Sequence, residues 1–462
     1  MIRSVSTGTP HNKRRVWLLA KLAIYCAALS APVTAMAQDA PQPAWLVEAN
    51  QRIAEHRMAD LTVTVRDAEG EPMPNLSVSI EMTRHAFGFG TAVSVPFLAP
   101  TLSGAPDTTP DAERYRDKII ELFNLAVMEN GHKWSFWENK KWHDRTVTVT
   151  EWLLDQGLRV RGHALIWQQR NRGWALPDDV YDSTDPKHIR QRIAEHIHAV
   201  AKFSYAGHGP LEEWDVLNEQ WSEHQLTDLL SPDVPKEHAP DLVTWFKQAA
   251  AAAPQAHLII NDFGILTGDD PEHRDSYEKT IQHLLDQGAP LRGIGFQSHF
   301  GHGHAVNEPE ETLKRLNRFA RFGLPLTVTE FDQFGDGWTP EKRATALSEF
   351  LTVCFSHPQV NGFLIWGFWD GRHWKNSAPL FNRDWSLKPE GKAYMNLVFS
   401  EWWTRKTVAT DARGQAATRG FLGDYLLTAR TPDGREAVAR VSLDSLGKSV
   451  GIDFAPAPNE QP

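Results

Sequence analysis

The stretch EWDVLNEQW (213–221) places a run of strand-forming residues directly before an Asn218-Glu219 pair. A carboxylate at the end of a buried strand is costly to remove from water unless the protein uses it. In a closed barrel of parallel strands, the carboxyl ends of the strands form the rim that carries the chemistry. The stretch therefore predicts a barrel strand that presents Glu219 as a functional side chain.

Similar stretches lie on both sides of this one, which gives eight strand candidates between residues 85 and 400. Most are continuous apolar runs, as expected for parallel strands covered on both faces. Helical patterns lie between them, at 189–203, 241–253, 277–288 and 309–323 among others. This alternation predicts an α/β fold, a (β/α)8 TIM barrel. The strand candidates are 85–92, 123–129, 159–167, 213–218, 257–263, 293–299, 325–331 and 362–369.

The segments that flank the barrel have a different pattern. Residues 61–82 alternate between apolar and polar side chains around a turn region, and residues 407–454 repeat this alternation. Period-two alternation between turn residues predicts β-strands. We expect a small all-β accessory module built from the flanking segments, either a structural cover or a carbohydrate-binding unit. The predicted division is a signal peptide at 1–37, an N-terminal β extension at 38–84, the catalytic barrel at 85–400, a C-terminal β segment at 401–456 and a disordered tail at 457–462.

The N-terminus has the features of a secretory signal peptide. Residues 1–37 contain no acidic residue, carry five basic ones, and include an apolar run at 22–29 before Ala35-Met36-Ala37. This pattern predicts a secreted or periplasmic protein. Removal of the segment would take Cys26 away and leave Cys354 without an intrachain partner, so the core and not a disulfide framework must stabilise the fold.

The composition narrows the classes of partner. The chain has 58 acidic and 48 basic residues, and its net charge is −10 at pH 7. An acidic surface repels phosphate backbones and anionic membranes. The 18 tryptophans supply flat rings, which suit ligands with apolar faces and polar edges such as sugars. We expect a polysaccharide substrate as the partner, no nucleic acid, no membrane span and a monomer.

Two carboxylates at the predicted rim form a candidate catalytic pair. Glu219 follows the fourth strand and Glu330 the seventh, on opposite sides of the barrel mouth. Hydrolysis of a glycosidic bond needs two such groups: one protonates the leaving oxygen, and the other meets the positive charge that develops on the sugar. We expect His299 and Asp332 to hold Glu330 ionised, and an apolar setting with a nearby anion to raise the pKa of Glu219.

Six motifs then identify a family. The chain resembles glycoside hydrolase family 10, the retaining endo-β-1,4-xylanases, with the motifs in family order across nearly the whole barrel. Residues 379–398 are similar to the family's final segment, and the flanks resemble plant-type members with β extensions. The motifs are MENGHKW (128–134), RGHALIW (161–167), WDVLNE (214–219), GIGFQSH (293–299), LTVTEFD (326–332) and IWGFWDGRHW (365–374).

The resemblance implies a role for each matched residue. Glu219 matches the acid/base and Glu330 the nucleophile of a double displacement that retains the configuration at the anomeric carbon. Asn218 matches the residue that holds the sugar 2-hydroxyl, while His299 and Asp332 match the network that steadies the nucleophile. The family's substrate-binding positions correspond here to Glu129, Asn130, Lys133, His163, Trp167, Asn218, Gln297, Trp366 and Trp374.

Several positions depart from the family pattern. Gln168 stands where the family often has His, Gly264 ends an NDFG in place of NDYN, and Trp369 is bulkier than usual. His132 replaces a usual Met, and the Glu-Pro pair that often follows this motif is absent. Because the catalytic pair is intact, we expect hydrolysis of xylan. The alternatives are another β-linked glycan as substrate, or a catalytically reduced glycan-binding relative.

A metal-dependent hydrolase on the same barrel is a separate hypothesis. His299, His302 and His304 form an H-x-x-H-x-H pattern that, with His163 or Asp262, offers metal ligands. A Gly-rich loop is predicted to carry His302 and His304 outward, which disfavours a converging set of ligands. The prediction is therefore an enzyme with no metal and no cofactor.

The tryptophans that follow the second strand have two interpretations. Trp134, Trp137 and Trp142 are either a platform for sugar rings or part of the packing of the loop. Both roles use the same large flat ring, so the sequence does not separate them.

Overall fold

The computed structural model of the chain describes residues 42–103, 108–169, 174–303 and 306–455. The predicted signal peptide at 1–37 and the predicted disordered tail at 457–462 lie outside the described residues. Within the described ranges, no helix is both long enough and apolar enough to cross a membrane.

Strands fall into three groups along the chain. Two strands precede the barrel: β1 (Met58–Arg66) and β2 (Ser77–His85). The barrel strands are β3 (Gly88–Val93), β4 (Leu125–Met128), β5 (Arg159–Arg161), β6 (Ile166–Trp167), β7 (Glu213–Asn218), β8 (His257–Asp262), β9 (Gly293–Phe296), β10 (His299–Phe300), β11 (Leu326–Gln333) and β12 (Val360–Ile365). Five strands follow: β13 (Arg405–Ala409), β14 (Gln415–Phe421), β15 (Gly423–Arg430), β16 (Glu436–Leu443) and β17 (Lys448–Asp453).

The parallel strands form a closed barrel, and the closing contact is a backbone bridge between the end of β5 and β7. Its strands are hydrogen-bonded in the order β5-β4-β3-β12-β11-β9-β8-β7-β6, with β10 beside β11. Gly162, just after β5, forms a parallel bridge with Trp214 of β7. No side chain fits at Gly162, because a Cβ there would lie 2.0 Å from the Trp214 ring. The (β/α)8 prediction is therefore confirmed, and the third and sixth strand positions are each split into two short pieces.

One predicted strand began too early. The candidate 85–92 starts at His85, but His85 ends the antiparallel strand β2, and the barrel strand β3 begins at Gly88. Only Ala86 and Phe87 separate the two strands, and neither is a turn-forming residue, so the boundary between them was not visible in the sequence.

Helices alternate with the barrel strands, and the four helical patterns named above are helices. Thr109, Asp185, Asp270 and Thr339 each cap a helix by accepting a backbone N–H of its first turn, and proline opens each of these helices. The α-helices are Ala44–His56, Val95–Ser103, Pro110–Leu122, Trp134–Glu138, Lys140–Asp155, Asp178–Tyr181, Pro186–Ala201, Gln225–Leu230, Pro240–Ala252, Pro271–Asp286, Pro309–Ala320, Pro340–Ser356 and Pro389–Asn396.

Barrel strands are buried on both faces, which accounts for their continuous apolar runs. Every residue of β3, β4, β9 and β11 is buried. In β11 the buried set includes Glu330 and Asp332. Because a buried carboxylate is costly without partners, these two side chains require hydrogen bonds or positive charge at the rim.

Both flanks build the predicted all-β module. β1 lies between β14 and β17 in a three-stranded sheet, whereas β2 lies between β13 and β15 in a four-stranded sheet that ends with β16. The two strands predicted within 61–82 thus form, but each pairs with the C-terminal flank and not with the other. The preceding helix Ala44–His56 was not predicted.

The module contacts the end of the barrel opposite to the rim. Arg57 donates hydrogen bonds to the backbone carbonyls of Phe355 (2.7 Å), His357 (2.6 Å) and Val360 (2.6 Å). Val360 begins β12, so these bonds lie at the N-terminal ends of the barrel strands. The module therefore lies away from the rim where chemistry is expected.

Candidate active site

The predicted site residues all lie at or just beyond the C-terminal ends of barrel strands, which face the same rim. Glu219 directly follows β7, and Glu330 lies in the second half of β11. The others are Glu129, Asn130 and Lys133 after β4, His163 after β5, Trp167 at the end of β6, Asn218 at the end of β7, Gln297 after β9, His299 in β10, Asp332 in β11, and Trp366 and Trp374 after β12.

Glu219 is held by three hydrogen-bond donors. Trp167 Nε1 donates to Oε2 (2.9 Å), while Gln297 Nε2 (2.8 Å) and Asn218 Nδ2 (3.1 Å) donate to Oε1. Its backbone has a φ of 59°, a left-handed conformation that is uncommon for a residue with a side chain. Burial raises the pKa of Glu219, and the negative charge of Glu330 adds to the rise. The carboxyl is therefore positioned to carry a proton.

Glu330 has the opposite electrostatic setting. Asn261 Nδ2 donates to Oε1 at 2.9 Å, and His299 Nε2 lies 3.3 Å from Oε2. Burial alone would raise its pKa, but the positive charges of His163, His299 and Lys133 outweigh burial, so the pKa of Glu330 is lowered. The carboxylate is therefore held in its ionised form.

His299 links Glu330 to Asp332. Its Nδ1 lies 2.7 Å from Asp332 Oδ1, so both ring nitrogens face carboxylate oxygens. Burial works against a charged imidazole, but the two carboxylates outweigh it and raise the pKa of His299 to about 10. Burial likewise opposes charge on Asp332, whose pKa is lowered to about 2 by His299. The arrangement is a partly buried cation between two buried anions.

Asp332 has two further neighbours, one of which the sequence analysis missed. Trp374 Nε1 donates to Oδ2 at 2.7 Å, and His373 Nε2 lies 3.4 Å from the same oxygen. Nδ1 of His373 accepts the backbone N–H groups of Lys375 and Ser377, both at 3.2 Å. Nε2 of His373 therefore carries a hydrogen, and it lies near Asp332 Oδ2 without forming a hydrogen bond.

Asn261 is a second missed residue. Its Nδ2 contacts both Glu330 (2.9 Å) and Asn218 Oδ1 (3.0 Å), and its Oδ1 accepts a hydrogen bond from Thr329 Oγ1 (2.7 Å). Asn261 thus connects the strand that carries Glu219 to the strand that carries Glu330. Its place at the end of the fifth predicted strand was the one available sequence signal.

A buried ion pair orients His163. Asp215 Oδ2 lies 2.9 Å from His163 Nδ1, and Asp215 Oδ1 lies 2.5 Å from Arg161 Nη2. Arg161 Nε also donates to Glu213 at 2.6 Å. His163 Nδ1 lies 3.9 Å from Glu330 Oε1, so this cluster fixes one of the groups that act on Glu330.

Polar groups and aromatic rings meet on the side of Lys133. Lys133 Nζ donates to Asn130 Oδ1 at 3.0 Å and lies 4.6 Å from the centroid of the Trp167 ring. Burial lowers the pKa of Lys133, and the negative charges of Glu330 and Glu129 oppose that fall. Burial raises the pKa of Glu129 despite nearby Lys133. This combination of donors and flat rings suits the hydroxyl edges and apolar faces of a sugar.

The two predicted substrate-binding tryptophans, Trp366 and Trp374, differ in exposure. Trp366 is 7% exposed and packs edge-on against His163, with ring centroids 5.3 Å apart. Trp374 is 46% exposed, although its Nε1 is bonded to Asp332. Trp374 therefore presents a large apolar surface at the mouth while its position depends on the carboxylate network.

The departures at Gln168 and Trp369 are buried within the protein. Gln168 Nε2 donates to Gln220 Oε1 (2.6 Å), and its Oε1 accepts the backbone N–H of Thr227 (2.9 Å). Trp369 is 4% exposed and stacks on Trp385 at a centroid distance of 4.4 Å. Both residues therefore pack against other side chains and backbone of the protein.

The departure at Gly264 lies beside a buried ring. Gly264 has a φ of 67°, and a Cβ there would lie 3.2 Å from His273 Nδ1. The His273 ring is stacked on Trp221, the last residue of the opening stretch, at a centroid distance of 5.0 Å. Trp221 donates its backbone N–H to Asp262 Oδ2 at 3.3 Å. These contacts hold in place the loop that follows Glu219.

The metal hypothesis gains no support from the described residues. His299 is engaged by Glu330 and Asp332, and His302 is an exposed residue paired with Asp336. His304 lies outside the described residues. Across the parts of the chain that the structure describes, no group of three or more His, Cys, Asp or Glu side chains is arranged to hold a metal ion.

The fold and the carboxylate pair together define a class, a (β/α)8 barrel with the paired acids of a glycoside hydrolase. The chain belongs to glycosyl hydrolase family 10, whose family model matches residues 82–397. This match confirms the family resemblance drawn from the motifs.

Two relatives show how the chain compares with longer proteins. Anti-sigma-I factor RsgI6 of Acetivibrio thermocellus is 30% identical over 400 residues, which are 84% of this chain and 47% of that protein. Endo-1,4-beta-xylanase 1 of Arabidopsis thaliana is 23% identical over 395 residues, which are 84% of this chain and 38% of that protein. The chain thus spans less than half the length of either relative.

A solved structure supports the fold. Xylanase 10B from Thermotoga petrophila RKU-1, crystallised in complex with xylobiose, matches with a TM-score of 0.57 at 22% identity. The match covers 68% of this chain and 95% of the other chain. The shared part therefore has the size of a whole barrel, and the remainder of this chain is additional.

Proposed function

We propose that the protein is a retaining endo-1,4-β-xylanase that cleaves internal xylosidic bonds of xylan. The observation that carries this proposal is the pair of a partly buried Glu219 and a buried Glu330, whose pKa values are shifted in opposite directions. One carboxyl that keeps its proton and one that loses it are the two groups that such hydrolysis needs. Membership of the family supports the same assignment.

In the first step, a carboxylate oxygen of Glu330 attacks the anomeric carbon as the bond from that carbon to the leaving oxygen breaks. Glu219 transfers its proton to that oxygen, so the departing sugar leaves as a neutral alcohol. A covalent glycosyl ester remains on Glu330. The bonding of Glu219 to Trp167 and Gln297 holds its carboxyl in place for this transfer.

In the second step, Glu219 is the base. It takes a proton from water, the water oxygen attacks the anomeric carbon, and the ester bond to Glu330 breaks. The configuration is inverted twice and therefore retained. Glu219 regains its proton and Glu330 its charge, which returns the site to its starting state.

The surrounding residues position the pair and the sugar. We assign His299 and Asp332 to keeping Glu330 ionised, which their mutual contacts support. We assign Asn218 to the sugar 2-hydroxyl from the family resemblance, and this is supported by Asn261 and Gln297, which fix its amide beside Glu219. The residues proposed to bind the glycan are Glu129, Asn130, Lys133, His163, Trp167, Gln297, Trp366 and Trp374.

The test is release of reducing sugar from a panel of polysaccharides. The panel is xylan, arabinoxylan, glucuronoxylan, cellulose and mixed-linkage glucan, with the Glu330→Gln variant as the blank. Release from the xylans that vanishes in the variant is the expected result. Release from a glucan alone would replace the substrate, since the catalytic pair does not itself select the sugar.

A glycan-binding protein without turnover is the second candidate. One observation favours it: the 30% identical relative is named as an anti-sigma factor and not as a xylanase. The same panel separates the two functions, because soluble xylan in the gel would slow a binding protein in affinity electrophoresis, yet that protein would release no reducing ends. The intact carboxylate pair supports the enzyme over this alternative.

The remaining assignments are also proposals. We assign residues 85–400 to catalysis and the flanking segments 38–84 and 401–456 to a structural cover, which the Arg57 contacts with the barrel support. We propose a monomer that is secreted or periplasmic, acts on polysaccharide, does not bind nucleic acid, and needs no metal or cofactor. Size-exclusion chromatography and fractionation of expressing cells test the first two of these.

A further inference from the structure

A row of aromatic rings leads away from the proposed active site, and the function proposed above does not use it. Phe136 and Trp174 meet edge to face with ring centroids 5.2 Å apart. Phe136 meets Trp142 in the same manner at 4.6 Å. We name these three residues, Phe136, Trp142 and Trp174, the aromatic strip.

Lys133 connects the strip to the catalytic centre. Its Nζ lies 4.6 Å from the centroid of the Trp167 ring and 5.6 Å from that of Trp174. Trp167 in turn donates a hydrogen bond to Glu219. The row from the acid/base carboxyl to the strip is therefore continuous, and the buried Lys133 supplies a polar donor within it.

Exposure separates the strip from the neighbouring tryptophans of the same segment. Trp134 is 2% exposed and stacks on His196, and Trp137 is 6% exposed, so both belong to the core. Trp174 is 38% exposed, and Trp142 is only partly buried. The ambiguity left by the sequence is thus resolved for Trp134 and Trp137 as packing, whereas the strip keeps surface open to solvent.

We propose that the aromatic strip is a distal sugar-binding site for further pyranose rings of the glycan chain whose bond is cleaved between Glu219 and Glu330. This inference rests on the proposed function. A flat ring that is partly open to water stacks favourably on the apolar face of a sugar. An enzyme that cuts within a chain binds sugar units on both sides of the scissile bond, and contacts through Trp167 and Lys133 join the strip to Glu219.

The experiment compares a long and a short substrate. The long substrate is β-1,4-xylohexaose, and the short one is an aryl β-xylobioside with a good leaving group, which fills only the positions next to the carboxyls. We expect Trp174→Ala to lower kcat/KM on the hexaose by about threefold to tenfold, the range set by one lost aromatic contact. Activity on the aryl xylobioside should stay unchanged. Trp152→Ala, on the same helix as Trp142 but away from the strip, is the matched control.

Equal loss on both substrates would overturn the proposal, because it would mean that Trp174 only supports the fold of the site. Unchanged activity on both would overturn it as well. If the unaltered protein hydrolyses neither substrate, the proposed function fails, and calorimetric titration of the hexaose then decides the inference separately. Weaker binding to Trp174→Ala than to the unaltered protein would support it; equal binding, or none to either, would overturn it.

Discussion

His299 lies with Nε2 3.3 Å from the carboxylate of Glu330, and its other ring nitrogen faces Asp332. Only the doubly protonated ring donates from both nitrogens, so the geometry requires a positive charge beside Glu330. The ionisation of the proposed nucleophile therefore depends on a residue that never touches the scissile bond.

Replacing His299 should change the pH dependence of the reaction. In His299→Gln the positive charge is lost, the pKa of Glu330 rises, and the acid limb of kcat/KM moves to higher pH. We expect kcat near neutral pH to fall by about 100-fold, as for loss of one preorganised electrostatic partner. His302→Gln, an exposed histidine of the following loop, is the matched control. An acid limb that does not move would show that His299 has a packing role alone.

The unaltered protein should give a bell-shaped profile of kcat/KM against pH. Activity falls at low pH when Glu330 takes up a proton, and at high pH when Glu219 loses one. Since the pKa of Glu330 is lowered and that of Glu219 is raised, the plateau between the limbs should be broad. In Glu219→Ala, measured on the aryl xylobioside, the alkaline limb should disappear. If that limb persists unchanged, another group is the acid.

The two carboxyls should respond differently to substitution. Glu330→Gln should abolish turnover of every substrate, because no covalent intermediate can form. Glu219→Ala should lose about 10²- to 10⁴-fold in kcat/KM on xylan but retain most of its kcat/KM on an activated aryl xylobioside, whose leaving group needs no proton. Its kcat on the aryl xylobioside should still fall, because the second step has lost its base. Steady-state kinetics on both substrates measure this split, and identical behaviour of the two variants would contradict the assignment.

Stability should also depend on the charged cluster. The pKa of His299 rises from 6.5 to about 10 on folding, so its contribution is complete below pH 6.5 and is lost as the pH rises through 10. That of Asp332 falls from 3.8 to about 2, so its contribution is present above pH 3.8 and is lost as the pH falls through 2. Urea unfolding at pH 6.5 and 10 should show a larger loss of unfolding free energy for the unaltered protein than for His299→Gln. An equal loss in both proteins would rule out this coupling.

Closure of the barrel should be sensitive to one methyl group. In Gly162→Ala the added Cβ would lie 2.0 Å from the Trp214 ring, so the β5–β7 contact must open. We expect a loss of about 1–3 kcal/mol in unfolding free energy, the range for overpacking a core. Gly451→Ala, where a Cβ would meet only Arg66 Nη1 at 3.5 Å, is the control. Equal stability of both variants would mean that the closure adapts without cost.

The sequence predicted well those features that depend on a single short segment, namely the barrel strands and the side chains at their ends. A run such as LTVTEFD contains both a strand and the residues that the strand presents, so the position of Glu330 on the rim followed directly from the fold. The same holds for Glu219 at the end of β7. Parallel strands converge at one rim, so placing the strands also places their terminal side chains.

The features that were missed depend on contacts between distant segments. His373 reaches Asp332 only because the loop after β12 folds back over β11, and no spacing in the sequence encodes that return. The strands β1 and β2 were predicted as neighbours in sequence, yet their hydrogen-bonding partners lie in the C-terminal flank, more than 300 residues away. Alternation of side chains identifies a strand but not its partner.

The measurement that tests the central claim most directly is mass spectrometry of the protein after incubation with a 2-deoxy-2-fluoro xylobioside that carries a good leaving group. The fluorine slows the second step, so the covalent intermediate accumulates. We predict one added disaccharide on the peptide that contains Glu330, and none in Glu330→Gln. An adduct on another residue, or hydrolysis of xylan with inversion of the anomeric configuration and no adduct, would contradict the assignment of Glu330 as the nucleophile.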